Sequence, residues 1–261
     1  MSEAYGCYSQ KHASVLEPIL RPMASKIVEL AKLNGREQVL DLATGTGLIA
    51  RTIGGKVDSV VGIDISPGML VRARALSARD YEFVAGDAMR LPLSDQCFDL
   101  VTCGLSLSHF LDVSGALREV LRVLHPKGCF IASAWGTDGE SPSKVAAAEV
   151  RDKFLEDWEF TFGGTLDEEM WANAQKGCEI LQHVGFDHVQ VDSQFLSGEY
   201  RDSTEAIDAA LAWPLTRYRV ARLSRAKQSE FREETAAAIR EVDSLRWSSE
   251  MLYYQAIRPE D

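Results

Sequence analysis

The chain has 261 residues, 46% of them hydrophobic, and its 28 Lys and Arg against 39 Asp and Glu give a formal net charge of −11. This acidic balance argues against a nucleic-acid partner, which needs clustered basic side chains. No apolar run approaches the ~20 residues of a membrane span, and the first residues lack the basic-then-apolar pattern of a secretory signal. We therefore expect a soluble, cytoplasmic protein with a full core that acts on a small molecule, with no nucleic-acid or membrane partner.

The cysteines follow no spacing typical of a bound metal or of a disulfide framework. Their number is odd, and no CxxC or His-linked pattern joins them. We expect reduced, mostly buried thiols and no metal site. The five are Cys7, Cys97, Cys103, Cys129 and Cys178.

The first predicted element is a helix in the N-terminal segment. Its apolar residues recur at helical spacing, which predicts a break near Pro18 and Pro22 and then a helix to Leu33. Asn34-Gly35 is typical of a left-handed helix end that leads into a strand.

The stretch EQVLDLATGTGLIA, Glu37 to Ala50, predicts a strand, a tight turn and a helix. Glycine at Gly45 and Gly47 permits a positive φ and lets the backbone approach a ligand, while free N–H groups at the helix start can receive an anionic group. A lone GxG is also found in ordinary strand-to-helix turns. The context of the stretch has to decide between the two readings.

The next apolar run, SVVGIDIS, ends in Asp64, about twenty residues after the glycines, where an acid can accept hydrogen bonds from ribose hydroxyls. Dinucleotide-binding Rossmann domains and class I methyltransferases share this arrangement. The third glycine of the dinucleotide fingerprint is replaced by Ala50, which only weakens that match. Asp41 favours the methyltransferases more clearly, because a carboxylate there repels a pyrophosphate and attracts the ammonium group of a methionine.

The segment from Val39 to Trp135 resembles the class I methyltransferases of the ubiquinone/menaquinone-biosynthesis type. VLDLATGTG is similar to the first motif of that family, VVGIDISPGML to the second, FVAGDAMRLPLSDQCFDLVTCGLSLSHF to the third and fourth, and VLRVLHPKGCFIASAW to the fifth. The motifs stand in the expected order. Ala43-Thr44 occupies a place where the family more often has Gly-Cys, but small residues and both glycines remain.

The resemblance implies S-adenosylmethionine as cofactor and assigns roles around it. Asp87 would accept from the adenine amino group, and the amide of Ala88 or Met89 would bond a ring nitrogen. Relatives often place an aromatic or polar residue of the N-terminal segment over the donor, which makes Tyr8 the first candidate, with Gln10 and His12 behind it. The full set of predicted cofactor-binding residues is Tyr8, Asp41, Ala43, Thr44, Gly45, Gly47, Asp64, Ile65, Met69, Gly86, Asp87, Ala88, Met89, Cys103 and Gly104.

The loop after the fourth predicted strand should border the transferred methyl group. In an open parallel sheet, ligands gather at the carboxyl ends of the strands, which places Gly104 to Phe110 near the reacting centre. His109 in this loop is the candidate general base, or the group that orients the acceptor. A helix from Val113 to Leu124 and a turn at Pro126-Lys127-Gly128 then lead into the fifth strand, CFIASAW.

Beyond Trp135 the pattern predicts a helix from Glu168 to Val184, a strand from Val189 to Phe195, and a helical insertion before the last strand, MLYYQAIRP. Insertions at this place commonly form a lid. The aromatic residues of this one suit an apolar or aromatic acceptor, and its arginines suit a carboxylate on it, although such residues usually fill a small core and a solvated face. The arginines are Arg217, Arg219, Arg222 and Arg225.

We therefore predict a doubly wound α/β fold with seven mostly parallel strands, the last one antiparallel, and a helical cap. Four segments are expected: 1–135 with the N-terminal helices and the cofactor half of the core, 136–198 with the end of the core and part of the cap, 199–245 as the helical lid, and 246–261 as the last strand. The predicted reaction is methyl transfer to an oxygen, nitrogen or carbon atom of a small acceptor by a monomer or homodimer. An NAD-type oxidoreductase and a catalytically silent S-adenosylmethionine-binding protein are the alternatives.

Overall fold

The computed structural model describes residues 6, 9–78, 81–137, 141–155, 168–242 and 244–260. Seven strands form one sheet in the order β3-β2-β1-β4-β5-β7-β6. The strands are β1 (Gln38–Leu42), β2 (Ser59–Asp64), β3 (Glu82–Ala85), β4 (Phe98–Gly104), β5 (Leu124–Trp135), β6 (Asp187–Glu199) and β7 (Arg246–Ile257).

Strands β1 to β5 pair in parallel, and β7 runs antiparallel to both of its neighbours, β5 and β6. The parallel strands are near-continuous apolar runs because helices cover both faces of the sheet. The predicted fold class, a seven-stranded and mostly parallel sheet whose last strand is antiparallel, is confirmed.

The α-helices of the described residues are α1 (Glu17–Leu30), α2 (Leu48–Ile53), α3 (Pro67–Leu76), α4 (Val113–Val123), α5 (Pro142–Leu155), α6 (Glu168–Ala172), α7 (Ala174–Val184), α8 (Ser203–Ala210), α9 (Pro214–Val220) and α10 (Arg225–Glu241). Six of them form two layers, one on each face of the sheet. Val39 and Leu100 face a layer made by α1 to α3, whereas Leu40 and Val101 face a layer made by α4, α6 and α7, as expected from the two-residue period of a strand.

The N-terminal helix passes through both prolines, so the predicted break there is wrong. Pro18 lies in the first turn of α1, where a backbone N–H is not needed, and Pro22 is inside the helix. A π-helical turn, His12–Leu16, precedes α1 and continues into it. The segment is therefore one continuous helical arm beside the glycine loop.

The predicted end of this helix also needs correction. α1 ends at Leu30, and Lys32, with φ +47°, is the left-handed residue that follows it. Gly35 does have a positive φ of +95°, but it lies in a separate turn whose amides donate to the Glu37 carboxylate.

The predicted helix from Glu168 to Val184 is two helices. Asn173 is extended, with φ −98°, and its side chain accepts from the Lys176 amide to start α7, so α6 ends one residue earlier. The strand after α7 is longer than predicted. It pairs with β7 from Asp187 to Glu199, which extends it past the predicted end at Phe195.

The insertion between β6 and β7 is helical, as predicted, and packs with α5. We call α5 and α8 to α10 the helical cap. Its small core is built around Phe231 of α10, whose ring meets the Phe154 ring of α5 edge-on at 5.5 Å. Among the described residues, no helix has the length and apolar character needed to cross a membrane.

Candidate active site

A cavity of about 870 Å³ opens at the carboxyl ends of the parallel strands and extends under the helical cap. Its volume lies near the upper end of the ~300–1,000 Å³ typical of small-molecule sites, which leaves room for more than one ligand. Most of the predicted site residues line it together: Asp41, Ala43, Thr44, Gly45, Asp64, Ile65, Met69, Gly86, Asp87, Ala88, Met89, Gly104 and His109.

The glycine loop after β1 uses its two glycines differently. Both are left-handed, Gly45 with φ +56° and Gly47 with φ +80°. A Cβ at Gly45 would meet nothing within 4 Å, so its backbone is open to a ligand. A Cβ at Gly47 would come within 3.1 Å of the Phe83 ring, and Gly47 does not line the cavity. Gly47 therefore serves the turn and its packing.

Asp64, at the end of β2, is held by two backbone amides. Its Oδ2 accepts from Gly45 N and its Oδ1 from Ser66 N, each at 2.8 Å. Burial raises the pKa of this carboxyl, and the two hydrogen bonds oppose that shift. The carboxylate is thereby fixed at the cavity wall, and Ile65 beside it is 56% exposed on the rim.

Asp41 lies below the same loop, almost fully buried. Its carboxylate accepts from Thr44 Oγ1 at 2.6 Å, from Thr102 Oγ1 at 2.9 Å and from Ala50 N at 3.1 Å. Burial raises the pKa of Asp41 to about 6 against these hydrogen bonds. Asp41 thus ties β4, the loop and α2 together and places a titratable acid at the cavity.

Asp87 shapes the loop after β3. Its Oδ1 accepts from Met89 N at 2.9 Å, and its carbonyl accepts from Arg90 N at 3.0 Å. The Met89 amide, one of the two donors predicted for an adenine nitrogen, is therefore already engaged by this carboxylate.

His109 ends a short 3₁₀ turn, Leu107–His109, and lines the cavity where β4 finishes. Burial lowers its pKa to about 4, so the imidazole is neutral at pH 7. His12, one of the N-terminal candidates, also lines the cavity, and burial lowers its pKa to about 4 as well. His12 Nδ1 is buried and has no hydrogen-bond partner among the described residues.

One further described member of the predicted set, Cys103, does not line the cavity. Cys103 is fully buried in the core on the face covered by α4, and burial raises the pKa of its thiol. The prediction that it borders the cofactor is corrected accordingly. Tyr8 lies outside the described residues, as does Cys7.

The predicted arginines of the insertion do not line the cavity either. Arg222, for example, stacks on the Tyr218 ring of its own helical segment, 3.3 Å from the ring centroid. Two cationic residues of α5, Lys144 and Arg151, line the cavity instead. Sequence reasoning missed them because only the packing of α5 determines which of its faces meets the cavity.

Aromatic residues form much of the wall beneath the helical cap. Trp135, at the end of β5, meets Trp213 edge-on at 5.8 Å, and Lys144 Nζ lies 5.0 Å from the Trp135 ring centroid. Trp171 of α6 and Phe231 of α10 also line the cavity.

A buried ionic network joins the N-terminal helix to the glycine loop. Glu17 of α1 is 5% exposed, accepts from Thr46 Oγ1 at 2.5 Å and pairs with Arg51 at 2.7 Å. Arg51 also donates to the Thr46 carbonyl at 2.5 Å. The position of the loop therefore depends on α1, a long-range contact absent from the motif itself.

Sequence comparisons agree with this geometry. A family model described as a methyltransferase domain matches residues 40–132. A demethylmenaquinone methyltransferase of Thermotoga maritima is 42% identical over 166 residues, 63% of this chain and 71% of the relative. One of Mycolicibacterium vanbaalenii is 40% identical over 127 residues, 49% of this chain and 53% of the relative, so the chain spans about half the length of that protein.

Among solved structures, the YcgJ protein of Bacillus subtilis superposes with a TM-score of 0.62 at 18% identity, over 91% of this chain and 98% of that one. At this identity the likeness concerns the fold.

Together, the sheet order, the glycine loop and three acids, Asp41 in β1, Asp64 at the end of β2 and Asp87 after β3, define a class I methyltransferase domain. With a 42% identical relative covered over 71% of its length, the chain belongs to the S-adenosylmethionine-dependent methyltransferases of the ubiquinone/menaquinone-biosynthesis type. The predicted family is confirmed, and the nicotinamide-dependent alternative is not favoured.

Proposed function

We propose that this chain transfers the methyl group of S-adenosylmethionine to a small acceptor bound under the helical cap. The observation that carries the proposal is the shared cavity: acids and an open glycine backbone line one part of it, and aromatic residues line another. Two ligands that react with each other require such adjoining walls.

The residues at the strand ends fit the donor. Gly45 leaves its backbone open, and Asp64 is preorganised by two amides with lone pairs to spare for ribose hydroxyls. An ionised Asp41 would favour the cationic amino-acid end. When bound, S-adenosylmethionine supplies an already activated methyl group, so the chain has mainly to orient the acceptor and exclude water.

For the acceptor we propose a flat, largely apolar ring compound, quinol-like in its chemistry. The names of the two relatives point to demethylmenaquinone as their substrate. In this chain, Trp135 and Trp213 offer flat apolar surfaces at the cavity wall. His109, neutral because of its burial, would orient the nucleophilic group of the acceptor by a hydrogen bond.

The test is transfer of label from methyl-labelled S-adenosylmethionine to reduced 1,4-naphthoquinone, followed by mass spectrometry, together with a cell extract as a second source of acceptors. A labelled product supports the proposal and identifies the acceptor atom. Donor binding without any labelled product would instead support the catalytically silent alternative, and binding of NAD rather than S-adenosylmethionine would contradict the proposal altogether.

The control for this experiment is Asp64→Ala. Losing hydrogen bonds from a charged group should weaken donor binding by about 1.5–3 kcal/mol, as measured by calorimetry. Unchanged affinity would remove the ribose role from Asp64.

A further inference from the structure

Trp171 carries a polar atom that the described fold leaves unused. The side chain is 1% exposed, and its Nε1 is buried with no hydrogen-bond partner among the residues that the structure describes. An indole nitrogen can only donate, and a buried donor without an acceptor bears the cost of its lost hydration. Trp171 is one of the residues that line the cavity, so a ligand bound there is the candidate source of the missing acceptor atom.

Tyr254 contacts both the indole ring and the backbone of Trp171. The indole ring meets the Tyr254 ring edge-on, with 5.4 Å between centroids, and the Tyr254 hydroxyl donates to the Trp171 carbonyl at 2.7 Å. Tyr254 is itself fully buried in β7. A side chain fixed in this way is preorganised toward whatever occupies the cavity.

The position of Trp171 places it on the acceptor side of the cavity. α6 packs against β5 and against the 3₁₀ turn that carries His109. The acids assigned to the donor, Asp64 at the end of β2 and Asp87 in the loop after β3, lie at the other edge of the parallel strands.

We propose that Trp171 determines acceptor specificity: its indole N–H donates to an oxygen atom, a carbonyl or phenolate oxygen, on a flat apolar ring compound. The inference rests on the proposed function, whose acceptor it defines more closely. An apolar pocket discriminates weakly between similar rings, whereas a buried donor that would otherwise stay unpaired rejects a ring that lacks the oxygen. Trp171 thereby acts on recognition and takes no part in the chemical step.

The experiment uses two probes with the same ring system, 1-indanone and indane, which differ only in the carbonyl oxygen. Each is titrated into the full chain loaded with S-adenosylhomocysteine, and the indole N–H signals of the five tryptophans are followed by ¹⁵N-resolved NMR. The Trp171 signal is assigned by elimination, from the single Trp→Phe variants of the other four. We expect 1-indanone to shift the Trp171 proton downfield, indane not to do so, and 1-indanone to bind about tenfold more tightly.

Trp171→Phe keeps the aromatic contact with Tyr254 and removes the donor, so it should bind both probes with equal affinity. Trp213→Phe is the matched control, because this residue lines the same cavity, and it should leave the ratio of affinities unchanged. Equal responses of the wild-type Trp171 signal to both probes, or no response to either, would overturn the proposal, and this measurement does not require the Trp171 variant to fold.

The binding measurement involves no methyl transfer, so the two proposals fail separately. A discriminating Trp171 signal without any labelled product would remove the proposed reaction and keep the recognition role. A labelled product together with equal binding of the two probes would keep the proposed reaction and remove the recognition role of Trp171.

Discussion

At the scale of single residues, Asp41 should make donor binding depend on pH. Its pKa is raised to about 6 in the folded protein, above the ordinary value of 3.8, because the carboxyl is buried. The folded chain therefore keeps this proton longer than the unfolded chain as the pH rises. The contribution of Asp41 to the free energy of unfolding falls between about pH 4 and pH 6 and is constant above that.

A cationic donor favours ionised Asp41, so binding releases a proton below about pH 6. We expect the dissociation constant of S-adenosylmethionine to rise up to about tenfold per pH unit as the pH falls from 6 to 5, measured by calorimetry between pH 5 and 7. Asp41→Asn should bind more weakly and lose most of this dependence. A wild-type affinity that is flat across this range would contradict the role given to Asp41.

The same reasoning revises the expectation for His109. An unperturbed histidine titrates near pH ~6.5, so the sequence suggested a base whose protonation would lower the rate of methyl transfer near neutral pH. Burial lowers the pKa of His109 to about 4, so the loss of rate caused by its protonation should occur below pH 5. For the wild type, we therefore expect the titration of His109 to have almost no effect on the single-turnover rate of methyl transfer from pH 5 to 9.

His109→Gln should slow this transfer at least tenfold at all of these pH values if His109 orients the acceptor, with donor affinity unchanged. A near-normal rate would leave His109 with a packing role only. A rate that falls steeply near pH 6.5 in the wild type, and not in the variant, would contradict the lowered pKa.

At the scale of elements, the contact between α1 and α2 should stabilise the glycine loop. Glu17→Gln leaves Arg51 partly buried beside a neutral partner, and losing one member of such a pair costs about 3 kcal/mol. Donor affinity should fall as well, because Thr46 of the loop bonds to Glu17. Urea denaturation and calorimetry measure the two effects.

Glu29→Gln is the matched control on the same helix. Glu29 pairs with Lys26 at 2.8 Å, but its side chain is 68% exposed, so its loss should cost less than about 1 kcal/mol. If the two variants proved equally stable, the network would not be holding the loop.

At the scale of the whole molecule, the sequence was most informative where structure is local. The strand, glycine turn and helix around Gly45, and Asp64 at the end of β2, depend on nearby residues, and the fold places them as expected. The break at Asn173 was missed because the helical period continues across it, while its side-chain cap decides the outcome. The low pKa of His109, and the Trp171 donor that has no partner among the described residues, arise from packing between distant segments, which a linear pattern does not encode.

The helical cap gives the last prediction, which concerns how the two parts of the cavity depend on each other. Phe231 is the centre of the small core of the cap and also lines the cavity, whereas the donor-side residues belong to the sheet and to the loops that follow its strands. Phe231→Ala should destabilise the cap by about 3–5 kcal/mol. Methyl transfer should be abolished or strongly reduced, because closure of the cap excludes water from the acceptor. Donor affinity should change by less than twofold, because the cap does not build the donor site. Glu230→Ala, on the exposed side of the same helix, should leave methyl transfer and donor affinity unaltered. Calorimetry with S-adenosylmethionine, beside the labelled-methyl assay, separates the two effects, and a parallel loss of donor binding and transfer would show that the cap supports the whole domain and has no separate closing role.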